Sequence, residues 1–425
     1  MPAMRQLKCA TAISAGLFGG LAVAGLALGG IMSASAAAPG AASSNSFGSV
    51  TRSVDAASKL IVLSSSDKQK LVAVSPAMQG RVLTSSAAGM SGRSYGWVNK
   101  ELIGSRQEQK HFNAYGGEDR VWIGPEGGQY SVFFAPEAPF DLAHWYTPAP
   151  VDTEPFQVVR QSQTAIELRK AFSLLNYSGT QFQVQIDREV SLLSADDVWR
   201  ELNVPAVTNL EIVGFQSRNK LTNMGSKPWK KETGLLSLWI LGQFQASADS
   251  TIVIPIRAGS EAELGTPVTS DYFGPVPSSR LVVRPNVIFL KADAHYRSKV
   301  GVSPKRSKGL VGSYDAENHV LTIVRYTIHP GHPEYVNSAW KIQTDPYNGD
   351  VGNAYNDGPP PSGGPQLGHF YEMESSSPAA DLAPGQSIEH TQCTIHLQGD
   401  DQELDKVSVA VLGVSLDVIR NALPE

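Results

Sequence analysis

From Lys59 onward the chain is a succession of short β-rich runs broken by Gly, Pro, Asn and Asp. KLIVLSS, KLVAVSP, GRVLTSS, QYSVFFA, NLEIVGFQS, LLSLWILGQF, STIVIPIRA, RLVVRPNVIFLKA, VLTIVRYTIH and QCTIHLQG follow one another without long amphipathic helices between them. A parallel sheet needs crossover helices, so this pattern predicts an all-β fold: a large, twisted, antiparallel β-sandwich. Period-2 alternation is clearest from Phe182 to Val190. Phe182, Val184, Ile186 and Arg188 fall on one face, and Gln183, Gln185, Asp187 and Glu189 on the other. Helix signals are few: Ser194 as an N-cap, then Asp400 to Leu412 and Ser415 to Leu423 as short C-terminal helices. The Gly- and Pro-rich stretch 348–368 reads as an irregular functional loop.

The N-terminus carries Arg5 and Lys8, an apolar run from Cys9 to Met32, and an exit of small residues from Ser33 to Ala38. These are the parts of a secretory signal peptide, residues 1–38, which implies a secreted or periplasmic protein. An uncleaved anchor is the alternative, since the run nears the roughly 20 residues that span a bilayer. After cleavage no stable membrane insertion is expected. Residues 39–58 are small and polar and read as a disordered leader, leaving 59–425 as one domain. Loss of the signal peptide removes Cys9, one of only two cysteines, so no intramolecular disulfide staples the mature chain. It also takes the formal charge from −5 to −7, a surface with no reason to bind nucleic acid.

The chemistry concentrates between Tyr115 and Asp152. Glu118, Asp119, Arg120 and Trp122 arrive together, and Glu126 follows between Pro125 and Gly127. Aromatic rings stack on the C–H faces of sugars while carboxylates and guanidinium bond pairs of hydroxyls, so the cluster suits a sugar or glycan ligand. The alternative is an Arg–carboxylate network bracing a loop. Trp145, Trp229 and Trp340 are platform candidates as a set, although each alone fits a core. Asn219 and Asn223 are further hydroxyl ligands or strand terminators. Asn337, Asn356 and Asp357 complete the candidate binding set. No cofactor is expected. Calcium is an open option at Asp350, Asn353, Asn356 and Asp357, whose spacing is not that of an EF-hand, and His329 and His332 in HPGHP read first as a turn.

Three stretches carry a family resemblance: KLVAVSPAMQGRVLTSSAAGMSGRSYGWVN, GGEDRVWIGPEGG and FYEMESSSPAADLAPGQSIEHTQCTIHL. With these the chain resembles the galactose-mutarotase-like (aldose-epimerase-like) supersandwich proteins, in particular a secreted bacterial branch of unknown function. The resemblance implies a late glutamate that takes a proton from the anomeric hydroxyl and a histidine that protonates the ring oxygen. Glu374 stands in that glutamate's place, with Glu372 second. Alternation puts both on one face of a strand, where each carboxylate raises the other's pKa. The mutarotase histidine contexts are not reproduced, and His144, beside Trp145, is the local candidate. Glu126 is the remaining catalytic candidate. The implied activity is epimerase or mutarotase-like. A glycoside hydrolase or polysaccharide lyase on the same fold, or a non-catalytic glycan-binding protein, are the alternatives.

Overall fold

Every strand pairing among the described residues is antiparallel. The structure is a computed structural model that describes residues 44–360 and 365–424. The signal segment and the first part of the leader lie outside the described residues. Three sheets form. The small one runs β1 (Ile61–Ser64), β2 (Leu71–Ser75), β3 (Arg81–Ser86).

The large sheet has ten strands. Their order is β11 (Leu281–Arg284), β12 (Val287–Lys291), β10 (Ser250–Pro255), β14 (Leu310–Asp315), β15 (Val320–Tyr326), β18 (Ser387–Gly399), β8 (Leu210–Asn223), β7 (Gln181–Leu192), β6 (Ala165–Leu175) and β5 (Gln157–Gln161). The third sheet has five, in the order β13 (Ser298–Val302), β16 (Gly352–Asn356), β17 (Phe370–Ser376), β9 (Ser237–Gln245) and β4 (Arg120–Gly124).

The ten- and five-stranded sheets pack face to face over an apolar core. Val121, Ile123, Leu238 and Ile240 meet Val184, Ile186, Val190 and Phe215 at one end. Val300, Ala354, Tyr371 and Met373 meet Ile252, Ile254, Val311 and Val324 at the other. Alternation along β7 is as the sequence predicts: Phe182, Val184, Ile186 and Arg188 are buried, and Gln183 is exposed. Helices α3 (Ala195–Leu202), α5 (Asp401–Leu412) and α6 (Leu416–Arg420) cover part of the large sheet's outer face through Trp199, Leu404, Val407 and Ile419. Their N-caps are Ser194, Asp400 and Ser415, the residues the sequence nominates. Among the described residues no helix is long and apolar enough to cross a membrane.

Two expectations need correction. Residues 47–58, read as a disordered leader, form helix α1 (Phe47–Ser58). Ser46 caps it, and Phe47, Val50 and Val54, spaced along one stripe, are buried. Three apolar residues suffice because the stripe lands on a preformed partner surface, including Met78, Leu83 and Ile103. The compact unit therefore begins before Lys59. The stretch 348–368 is not wholly irregular either, because β16 lies inside it, its backbone groups paired on both sides by β13 and β17.

Candidate functional site

Pleating gives the five-stranded sheet a second face, opposite the core, and this face is polar. Paired residues of adjacent strands share a face. Arg120 pairs across to Leu241, Leu241 to Glu374, and Glu374 to Asn353; Gln243 pairs to Glu372, Glu372 to Tyr355, and Tyr355 to Lys299. One register thus places Arg120 and Trp122 of β4, Trp239 of β9, Glu372 and Glu374 of β17 and Lys299 of β13 on one surface. Loops cover it. Gln129 Nε2 donates to Gln343 O at 2.9 Å, and Ser338 Oγ accepts from the Glu126 backbone N–H at 3.1 Å, which locks the segment after β4 to the 337–343 loop. Gly127 is required there, since a Cβ would stand 2.6 Å from Ala339 O.

Two ion pairs anchor the floor. Arg120 Nη2 donates to Glu372 Oε1 at 2.9 Å, with both side chains nearly buried. Lys299 Nζ donates to Glu374 Oε2 at 2.9 Å, and Trp239 Nε1 donates to the same oxygen at 2.9 Å. Glu374 is fully buried, and its Oε1 has no hydrogen-bond partner. Nor do Arg120 Nε and Nη1 or Trp122 Nε1. Aromatic faces enclose the cations: the Arg120 guanidinium lies 4.5 Å from the Trp122 ring centroid, and Lys299 Nζ 4.8 Å from that of Trp239. Trp145 and Trp340, stacked at 5.9 Å and partly exposed, form a wall beside Glu126.

The protonation equilibria follow from this enclosure. Glu126 keeps some surface, but its carboxyl is densely surrounded. Burial, the largest effect, and the nearby Glu374 push it up to about 7, against the opposing pull of Lys299 and of the Trp340 and Trp145 indoles. Trp145 Nε1 stands outside hydrogen-bond geometry, so its influence on Glu126 is that of a neighbouring dipole. Burial and Glu374 also raise Glu372, although Arg120 opposes them. For Lys299 burial favours the neutral amine, but Glu374, Glu126 and Glu372 outweigh it and hold the ammonium above its usual range. Asp350, on the Lys299 side, is pushed up to about 6 by burial and accepts from Tyr272 O–H at 2.6 Å. The arrangement combines carboxyls that exchange protons near neutrality with fixed cations and flat apolar walls.

A family model describing a family of unknown function, DUF6786, matches residues 45–423. The chain belongs to that family. A search of curated proteins finds no match. Among solved structures, the chain is similar to an Escherichia coli K12 protein described as a candidate aldose 1-epimerase, at 13% identity and TM-score 0.46, over 80% of this chain and 99% of that one. It is also similar to a galactose mutarotase-like protein from Lactobacillus casei, at 10% identity and TM-score 0.44, over 80% and 100%. A third is a galactose mutarotase related enzyme from Lactobacillus acidophilus, at 10% and 0.43, over 80% and 98%.

In this DUF6786 chain the sequence candidates separate into three groups. Glu126, Arg120, Trp122, Trp145, Trp340, Glu372 and Glu374 come together, as does Asp357, whose Oδ1 accepts from Tyr355 O–H at 2.6 Å beside Glu372, whereas Asn337 lies in the covering loop and its Oδ1 accepts from the Ala339 backbone N–H. A second group braces the sandwich instead. Asp119 turns to the core side, where it pairs with Arg188 of β7 and accepts from Ser217 Oγ at 2.8 Å. Glu118 meets His396 Nε2 at 2.8 Å and Ser85, also between the sheets. Asn219 Oδ1 accepts from Arg188 at 2.6 Å, Asn223 Nδ2 donates to Leu382 O at 2.9 Å, and Trp229 packs edge-on to Phe182. Asn356 is spent on the backbone of Ala294 and Tyr296.

His144 stands apart from both groups. Its side chain is 46% exposed and bound to Asp141 at 2.7 Å within a surface turn, so it does not share the enclosed site with Glu374. Lys299, Trp239 and Tyr272 are site residues the sequence reading missed. Alternation in Ser298–Val302, with Ser298, Val300 and Val302 buried, is the one signal that singles out Lys299. Among the described residues no group of three or more His, Cys, Asp or Glu is arranged to hold a metal ion.

Proposed function

We propose that this is an exported carbohydrate-active protein, an epimerase or mutarotase-like enzyme that moves protons at the anomeric centre of a sugar. The convergence of Glu126, Glu372 and Glu374 with Arg120 and Lys299 beside the Trp145–Trp340 wall carries this reading, since elements far apart in sequence supply these groups to one enclosed face. Lys299 and Trp239 hold one oxygen of Glu374, and the other is free to accept the proton of the anomeric hydroxyl. Glu126, whose pKa lies near neutrality, donates its proton to the ring oxygen as the C1–O5 bond breaks. The open aldehyde recloses on either face, and the two carboxyls return to their starting states. Trp145 and Trp340 pack on the C–H face of the ring.

Polarimetry and NMR exchange on a panel of reducing sugars test this. The wild type is expected to speed interconversion of anomers, and Glu126→Gln and Glu374→Gln to lose at least about 100-fold, the usual weight of one acid–base group. Sugars that bind without interconversion would replace the enzyme with a glycan-binding protein. If no sugar binds, the carbohydrate reading fails. Export is tested separately: a mature protein retaining Arg5 or Lys8 by mass spectrometry would refute cleavage after residue 38.

A further inference from the structure

Lys299 stands between two acids and is bound to one of them. It donates to Glu374 Oε2 at 2.9 Å, and among the described residues Asp350, on its other side, forms no ion pair. Strand β13 sets up this choice. Glu374, Asn353 and Gly301 form one cross-strand row, and Lys299 stands in the next row of the same face. Gly301 leaves the space that the Asp350 carboxyl fills: a Cβ there would stand 2.1 Å from Asp350 Oδ2 and 2.7 Å from Asn353 Nδ2. Thr269 and Gly301 exchange two backbone hydrogen bonds of 2.8 Å, which fix the following loop against β13. From that loop Tyr272 O–H donates to Asp350 Oδ2 at 2.6 Å, and its oxygen accepts from Asn353 Nδ2 at 3.2 Å. The centroid of the same ring lies 5.7 Å from Lys299 Nζ, and that of Trp239 lies at 4.8 Å. An ammonium is drawn to any carboxylate within reach, so a neutral donor on Asp350 keeps that acid from competing with Glu374.

Resting on the acid–base roles given above to Glu126 and Glu374, we propose that Tyr272 is a positioning residue: its hydroxyl occupies Asp350 and its ring flanks Lys299, which commits the ammonium to Glu374. The charged and titratable groups facing Lys299 are Glu374 and Glu372 of β17, Glu126 after β4, Asp350 before β16, and Tyr272; Asp350 also feels Asp271. Lys299 draws both Glu126 and Asp350 downward. A move of the ammonium from Glu374 to Asp350 therefore shifts the two acids in opposite directions. Asp350 falls below about 6, and Glu126 rises above about 7. Plain loss of the Tyr272 hydrogen bond does otherwise: it raises Asp350 and leaves Glu126 in place.

Carboxyl carbon NMR titration of Glu126 and Asp350, with resonances assigned through Glu126→Gln and Asp350→Asn, tests the proposal without requiring turnover. Wild type is compared with Tyr272→Phe and with the double variant Tyr272→Phe/Asp350→Asn, melting curves confirming that each is folded. In Tyr272→Phe the Glu126 midpoint is expected to rise and the Asp350 midpoint to fall, each by about one pH unit, the lower end of an opposite charge's effect. The double variant, with no second acid to take the ammonium, is expected to return Glu126 to its wild-type midpoint. On a sugar that the wild type interconverts, kcat should fall in Tyr272→Phe at unchanged KM and recover in the double variant. Glu126 titrating in Tyr272→Phe as in the wild type, or failing to return in the double variant, would overturn the positioning role and leave the carbohydrate reading standing. Titrations that move as expected in a protein that interconverts no sugar would uphold the positioning of Lys299 and overturn the enzymatic reading alone.

Discussion

Lys299 and Glu374 form a salt bridge of 2.9 Å across an intervening strand, with side chains 12% and 0% exposed. Glu374 is on β17 and Lys299 on β13, and β16 runs between them. The bond therefore depends on the register of both pairings, and it fixes which Glu374 oxygen is occupied. Removing one partner of a buried pair strands the other charge, which costs about 3–5 kcal/mol. Lys299→Met is expected to lose stability on that scale in urea unfolding, and the double variant Lys299→Met/Glu374→Gln to recover part of it. A single variant within about 1 kcal/mol of wild type would mean that the pair is not desolvated as described.

The titration of Glu126 gives stability a definite pH dependence. Its folded pKa is raised to about 7 from an ordinary 4.5, so the folded state binds the proton more tightly than the unfolded chain. Its contribution is complete below pH 4.5 and disappears as pH rises to about 7. Asp350, raised to about 6, acts in the same direction, so the informative quantity is the difference between wild type and Glu126→Gln. The wild type should lose melting temperature relative to the variant between these limits. Parallel curves across the interval would show that the Glu126 carboxyl is solvated.

Much of the architecture was legible because antiparallel pairing writes itself into alternation. Phe182 to Val190 named its own inner face, and Glu372 and Glu374 could be set on one face from spacing alone. The meeting of Glu126 with Glu374 was legible as an excess of ionisable groups that neither neighbourhood could neutralise. The division of Glu118, Asp119 and Arg120 was harder. Asp119 and Arg120 are consecutive residues at the start of β4, so one carboxylate goes to the core and the guanidinium to the site. Lys299 was obscure because one lysine in a five-residue strand acquires meaning only from partners on strands more than fifty residues away. His144 misled because its aromatic neighbour turns inward while the histidine stays on the surface turn.

Helix α1 was illegible for a different reason: its burial depends on a surface that forms elsewhere. Phe47 is fully buried, and its backbone N–H donates to Gly92 O at 2.8 Å, so the segment is built into the body of the fold. Phe47→Ala is expected to cost about 3–5 kcal/mol, the range for truncating a buried aromatic. A chain starting at Lys59 should be less stable still than one starting at Ser44. Equal unfolding midpoints for those two truncations would restore the disordered-leader reading.

The pair Arg188–Asp119 separates structural charge from functional charge. Both side chains are fully buried between the sheets, and Ser217 and Asn219 satisfy their remaining valences. Burial raises Asp119 and Arg188 opposes that rise, so the bond holds the carboxylate in the core only while its partner is present. Arg188→Met is expected to destabilise by about 3–5 kcal/mol, because it leaves Asp119 uncompensated. Residual folded protein should nonetheless bind sugar with wild-type affinity, since both residues lie on the core side of β4 and Arg120 on the other. Glu126→Gln should do the reverse: its carboxyl bridges no strands, so at pH 4.5, where the folded wild type holds this carboxyl protonated, the variant should unfold within about 1 kcal/mol of wild type, and at neutral pH it should lose turnover. The two variants are compared by urea midpoint and by calorimetric affinity on the same preparations. If Arg188→Met weakened sugar binding or removed turnover in its folded fraction, the two faces of β4 would be coupled and the division of this charge cluster into brace and site would fall.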